Sequence, residues 1–126
     1  MAKNFIQEGK HITWTNGTGT AATSGSPVVV GSLVCVALTD IAAGAVGVLA
    51  TEGVWELPKV AGASGHAIAQ GATALFDISE AKFDINTTVA AAGDISGSCV
   101  ATEAALTTAT TVNVKINVGA GTVEAG

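Results

Sequence analysis

Side chains able to bind a metal ion or transfer a proton are few in this chain of 126 residues, and they are scattered. The two histidines, His11 and His66, have no cysteine or carboxylate at the spacing of a metal site. Cys35 and Cys99 have no CxxC partner, so neither a zinc site nor a redox pair is supported. We therefore expect no metal, no cofactor and exposed polar positions for both histidines.

The carboxylates and glycines are equally poor candidates for catalysis. Glu52 and Glu56 are close in sequence, and Asp77 and Glu80 bracket a predicted turn, but such positions are typical of solvated edge and turn residues. The glycines of segment 16–26 are followed by no lysine, and no serine lies in a G-x-S-x-G motif. The sequence thus predicts no catalytic residue and a protein that is not an enzyme.

Composition excludes several classes of partner. The net charge is -5, and the five basic residues are scattered lysines with no arginine among them, so we expect no binding to nucleic acid. No apolar run approaches the ~18 residues of a membrane helix, and the N-terminus lacks the apolar core of a secretory signal. We expect synthesis in the cytosol, where Cys35 and Cys99, each between small apolar residues, remain reduced and buried.

The elements that must position all these residues are β-strands. The strongest pattern is Gly44–Val60, where alternation predicts a strand over 46–50, a bend at Glu52-Gly53 and a second strand from Val54 that Pro58 ends. Further strands are predicted over 11–15, 28–30, 33–37, 74–76, 82–85, 95–101 and 111–118, and 103–106 could form one helical turn.

About eight short strands with frequent turn signals predict an all-β fold, either a small barrel or a two-layer sandwich of antiparallel strands. A weak internal similarity between Gly31–Ala37 and Gly97–Ala101 suggests a pseudo-repeat. Residues 1–10 are predicted to be an N-terminal arm, residues 11–118 a single β domain and residues 119–126 a flexible tail.

Four bulky apolar residues could serve association rather than the core. Phe5 and Ile6 lie in the predicted arm, and Trp14 and Trp55 are the largest side chains in a chain with only 4% aromatic residues. All four could simply cover the domain's own core. Alternatively they contact a partner, since tryptophan is enriched at interface hot spots. Trp55 in particular faces either the interior or a neighbouring subunit.

Three stretches together carry a resemblance that reaches residues 1 to about 118. They are Met1–Lys10, Ser24–Ala37, and Gly53–Lys59 followed by Ile68–Gly71. The chain resembles a family of small tailed-phage and prophage proteins that supply capsid decoration, or cement, proteins. Members are often labelled predicted RecA/RadA-type phage recombinases, yet this sequence has no phosphate loop and its charge opposes DNA binding.

The resemblance implies a structural virion protein that binds the outside of the capsid lattice and stabilises it. Its implied partners are the major capsid protein and further copies of itself, as a homotrimer or homodimer. A head–tail connector or tail component is the alternative within virion structure. An accessory protein of DNA recombination is the alternative of a different class.

Overall fold

Ten short β-strands, and no helix, make up the regular structure of the part of the chain that the computed structural model describes, residues 4, 6 and 9–125. The strands are β1 His11–Thr15, β2 Pro27–Val30, β3 Leu33–Ala37, β4 Val46–Ala50, β5 Val54–Pro58, β6 Thr73–Asp77, β7 Lys82–Ile85, β8 Ile95–Ala101, β9 Thr111–Lys115 and β10 Thr122–Val123. Within these described ranges no helix is long and apolar enough to cross a membrane.

The strands form two sheets in which every named ladder is antiparallel. The first sheet has the order β1-β4-β3-β2, and the second has the order β5-β9-β8-β6-β7, with β10 paired to β8. A parallel bridge between Lys59 and Phe83 joins the end of β5 to β7, and the Val60 N–H donates to the Phe83 carbonyl. The second sheet therefore curls into a small barrel, and the first stays open. The predicted all-β fold is confirmed.

The segment Gly44–Val60 connects the two sheets. Its two strands have the predicted positions, but β4 belongs to the first sheet and β5 to the second, so they do not pair with each other. The bend uses Gly53 at φ 109°, a conformation that favours glycine. Pro58 ends β5, as predicted, and as the last residue of the strand it pairs with Thr111.

The two sheets repeat one arrangement of four strands. Strands β1, β4, β3 and β2 have the same neighbours as β5, β9, β8 and β6, in the same order. The registers also correspond, since Val28 pairs with Cys35 in the first half as Ala74 pairs with Cys99 in the second. We call residues 11–50 the first half and residues 54–115 the second half.

Loop contacts follow the same repeat. A bridge links Ala22 to Ile41 in the first half, and the corresponding bridge links Ile68 to Ala105 in the second. Strand β7 has no counterpart in the first half. The halves therefore share one framework and differ by one strand.

Each half has its own apolar core. The larger cluster fills the second half and the space between the sheets, and it includes Phe76 and Phe83, whose rings meet edge to face at 5.1 Å. The smaller cluster lies in the first half around Ile41 and Leu49. Several of its members, including Trp14, are only half-buried, so this core is less completely covered than the other.

Two local predictions were wrong. Residues 103–106 form no helical turn, because Ala105 is held in the bridge to Ile68. Strand β9 ends at Lys115 rather than at Val118, because Asn117 has φ 53° and turns the chain, leaving Val118 47% exposed. Within the segment predicted to be a flexible tail, β10 pairs with β8 through Thr122 and Val123.

Candidate interaction surfaces

No group of three or more potential metal ligands occurs within the described residues. His66 is nevertheless not the exposed side chain that the sequence predicts. It is half-buried, and its Nδ1 lies 2.8 Å from Oδ1 of the buried Asp84. The His66 backbone N–H also donates to Thr107 Oγ1. These contacts fasten the loop before β6 to β7, and a separation of 18 residues hides the pair from motif searches.

Lys59 was not identified from the sequence, although it is the largest fully buried side chain among the described residues. Its Nζ donates to the carbonyl oxygens of Val60, Thr107 and Ala109. Burial lowers the pKa of Lys59, and the nearby Asp84 carboxylate partly offsets this effect. The ammonium group thus provides hydrogen-bond donors to backbone carbonyls at the point where β5 and β7 close the barrel.

The four carboxylates considered in the sequence analysis occupy turn and surface positions. Glu52, Glu56 and Glu80 are exposed. Asp77 Oδ1 accepts hydrogen bonds from the backbone N–H and the hydroxyl of Ser79, which is the pattern of an Asx turn. These carboxylates shape or border strand connections.

Both cysteines are buried, as predicted, and occupy equivalent positions of the two halves. Burial raises the pKa of the Cys35 thiol from 9.0 to about 11, an effect that the Asn117 side chain partly opposes. Burial also raises the pKa of Cys99. The fold therefore retains neutral thiols at a pH where an unfolded chain would lose the protons.

We expect the free energy of unfolding to fall as the pH rises through the range 9 to 11, by up to about 2–3 kcal/mol from Cys35. Above pH 9 the unfolded thiol ionises, whereas the folded thiol does not until about pH 11, so high pH favours the unfolded state. The free energy of unfolding, measured with urea at several pH values in this range, should fall less steeply with pH for Cys35→Ala than for the wild type. Equal slopes for the two proteins would contradict the prediction.

Trp14 and Trp55, two of the predicted interface residues, lie in different sheets. Trp14 lies half-buried on β1 in the first sheet, and Trp55 lies half-buried on β5 in the second. Trp55 packs against the larger core, and its Nε1 donates to the Glu52 carbonyl at 3.0 Å. Ile6 is 86% exposed, and Phe5 lies outside the described residues.

A flat exposed face extends over β1 and β4 and was missed by the sequence. Thr13 pairs with Val48 and Thr15 with Val46, so these side chains form one ladder. Val46 is 65% and Val48 41% exposed. We call these four residues, with His11, the β1–β4 face. Alternation showed that the valines share a side of β4, but not that both are exposed there.

A groove of about 820 Å³ lies beside the first half. It is lined by the end of β1 at Trp14, by residues 18–23, by β2 at Pro27 and Val28, and by the β6–β7 turn. None of the described residues that line it is charged. We call it the inter-sheet groove.

Comparison with known proteins gives one positive result. A family model described as phage cement protein matches residues 6–116. No curated protein matches the chain, and no solved structure matches it.

Proposed function

The chain belongs to the phage cement protein family, which makes it a structural, capsid-associated phage protein, and we propose that it binds the outer surface of the capsid lattice and stabilises it. The major capsid protein is its proposed partner. Copies are proposed to associate as a homotrimer or homodimer, as is common for proteins that occupy symmetric lattices.

The observation that carries this proposal is the β1–β4 face. Two valines and two threonines in register make a flat patch with little charge, and an exposed apolar patch of this kind is suited to burial against another protein. Strand β1 is also an edge, since within the described residues it pairs with β4 alone. An edge next to an apolar face allows a partner to add both backbone hydrogen bonds and side-chain contacts.

Attachment of many copies does not require strong individual contacts. A lattice presents many equivalent sites, and linked copies rebind before they diffuse away. The small Thr and Val side chains of the β1–β4 face lose little conformational entropy when they become ordered at an interface. Such a face fits a protein that braces a shell.

We expect the protein to co-sediment with expanded capsids but not with unexpanded shells. Val46→Glu and Val48→Glu should each weaken co-sedimentation at least about tenfold, because a carboxylate buried at the interface loses its hydration. Val89→Glu is the matched control, since Val89 is 91% exposed in a loop outside this face. Melting curves should show that all three variants remain folded.

Equal loss of binding for all three variants, or undiminished binding of the two face variants, would remove the β1–β4 face as the attachment surface. Salt-dependent DNA binding or ATP turnover by the purified protein, without capsid binding, would favour the recombination alternative.

A further inference from the structure

The two halves differ in how their sheets are closed. In the second half, β7 pairs antiparallel with β6 and meets the end of β5 at the parallel Lys59–Phe83 bridge. Phe83 is completely buried by this arrangement and fills the barrel core. Strand β7 therefore lies between β5 and β6, which are the counterparts of β1 and β2 in the second half.

The corresponding gap in the first half holds no strand of the described chain. It would lie between the end of β1 and the free edge of β2, and these two elements line the inter-sheet groove at Trp14, Pro27 and Val28. Trp14 is only half-buried, whereas its counterpart Leu57 is completely buried. The core of the first half is thus open where that of the second half is covered.

The backbone of β2 is available for pairing. The N–H and C=O of Val34 are taken by the side chain of Asn117 and do not point toward β2. Val34 is the partner of Val29, so this is a non-hydrogen-bonded pair, and the Val29 N–H and C=O point toward the open edge. Val29 is equivalent to Leu75, which pairs with Asp84 of β7. The open edge can therefore bond an added strand as β6 bonds β7.

We propose that the inter-sheet groove takes the N-terminal segment of a second copy, residues 3–8, as a fifth strand of the first sheet. The described residues that line the groove carry no charge, and the middle of the segment, Asn4-Phe5-Ile6-Gln7, is uncharged as well, with Lys3 and Glu8 at its ends. This segment carries an aromatic residue, as β7 does in Phe83. Ile6 is 86% exposed, so the described residues of its own chain leave it largely uncovered.

The occupant must come from another copy rather than from the same chain. A strand equivalent to β7 runs parallel to β1, since β7 forms a parallel bridge with the end of β5. Parallel neighbours need a crossover of about a dozen residues or more, and only residues 9 and 10 separate the segment 3–8 from β1. If two copies place their N-terminal segments in each other's grooves, they form a homodimer. If each copy places its segment in the groove of the next copy, they form a closed ring such as a trimer. The inference deepens the proposed self-association and does not depend on capsid attachment.

Cysteine cross-linking between separately purified variants tests the exchange. Ile6→Cys is mixed with Ala21→Cys, which places a thiol on the exposed lining of the groove, and the mixture is oxidised mildly. Ile6→Cys mixed with Ala104→Cys is the matched control, because Ala104 is exposed in the second half and is not among the residues that line the groove. The native cysteines are buried and serve as an inert background.

We expect the groove pair to give at least about tenfold more mixed disulfide dimer than the control pair, because docking raises the effective concentration of the thiols. Equal yields, or no dimer, would overturn the proposal. A chain carrying both Ile6→Cys and Ala21→Cys that cross-links only within itself would also overturn it. So would cross-linking of Ala21→Cys to capsid protein alone, which would assign the groove to the capsid.

The oligomeric state gives a second readout. Ile6→Asp should shift the protein toward monomers in light scattering, whereas Val89→Asp should not. An unchanged oligomer for Ile6→Asp would count against strand exchange. Capsid co-sedimentation of the same variants distinguishes strand exchange from capsid attachment. A variant that no longer exchanges its N-terminal segment can still attach to the capsid through the β1–β4 face.

Discussion

Replacement of Asn117 with alanine should lower the free energy of unfolding by about 3–4 kcal/mol. The Asn117 Oδ1 accepts from the Val34 N–H at 3.0 Å and from the Ser98 hydroxyl at 2.9 Å. Its Nδ2 donates to the Val34 carbonyl at 3.0 Å and to the Thr51 carbonyl at 2.8 Å. One amide therefore joins β3, β8 and the end of β4, and its loss removes the partner of the Val34 and Thr51 backbone groups and of the Ser98 hydroxyl.

The backbone adds to the effect, because Asn117 has φ 53° and asparagine tolerates this conformation better than alanine. Asn117→Gly should therefore be less destabilising than Asn117→Ala by about 1 kcal/mol. Urea unfolding of the three proteins measures both effects. Asn113→Ala is the control, since Asn113 is half-buried in β9 and its side chain forms no hydrogen bond within residues 9–125. Similar losses for the Asn117 and Asn113 variants would refute a special role of the amide.

The strands themselves were predictable because one face of each is buried. In β9, Val112 and Val114 are buried while Thr111 and Lys115 are exposed, so period-two alternation records the burial directly. The turn glycines were informative for a related reason: Gly44, at φ 80°, ends a loop that few other residues could form. Local steric and burial preferences are therefore sufficient to predict where the strands and turns lie.

Pairing between strands was not predictable in the same way. β4 and β5 are adjacent in sequence and separated only by a bend, yet they belong to different sheets, in which β4 pairs with β1 and β5 with β9. The sequence pattern placed Asn117 on the polar side of an ongoing strand. Alternation contains no sign of the left-handed turn that aims its amide at Val34.

The internal similarity was detectable only where both halves are constrained alike. Gly31–Ala37 and Gly97–Ala101 include parts of β3 and β8, which are interior strands of their sheets. Both are largely buried, so small apolar residues are required in each. Elsewhere the halves satisfy the same geometry with different side chains, and the repeat disappears from the sequence.

The candidate surfaces were hidden for a further reason. Exposure of Val46 and Val48 depends on what packs against this side of β4, and the open edge of β2 depends on the absence, among the described residues, of a strand equivalent to β7. Neither is a property of a local window. Trp14 and Trp55 were identified by size, but size alone does not separate a half-buried anchor from a contact residue.

Substitution of Gly47 with valine should be strongly destabilising, by about 3 kcal/mol, because a side chain at this position would overlap the buried Ile41. The internal repeat indicates how the overlap is relieved. Gly47 pairs with Trp14 as Val112 pairs with Leu57, and Ile41 forms the bridge that Ala105 forms in the second half. The second half thus combines a valine and an alanine where the first combines a glycine and an isoleucine.

The double variant Gly47→Val/Ile41→Ala transfers the arrangement of the second half to the first. Ile41→Ala alone should lose about 2–4 kcal/mol through the cavity that it leaves. In the double variant the valine fills this cavity, so the total loss should be smaller than the sum of the single losses by at least about 1.5 kcal/mol. Urea unfolding of the wild type and the three variants measures this coupling. Additive losses would show that Gly47 and Ile41 are not complementary, and that the two halves share their strand order without sharing their packing.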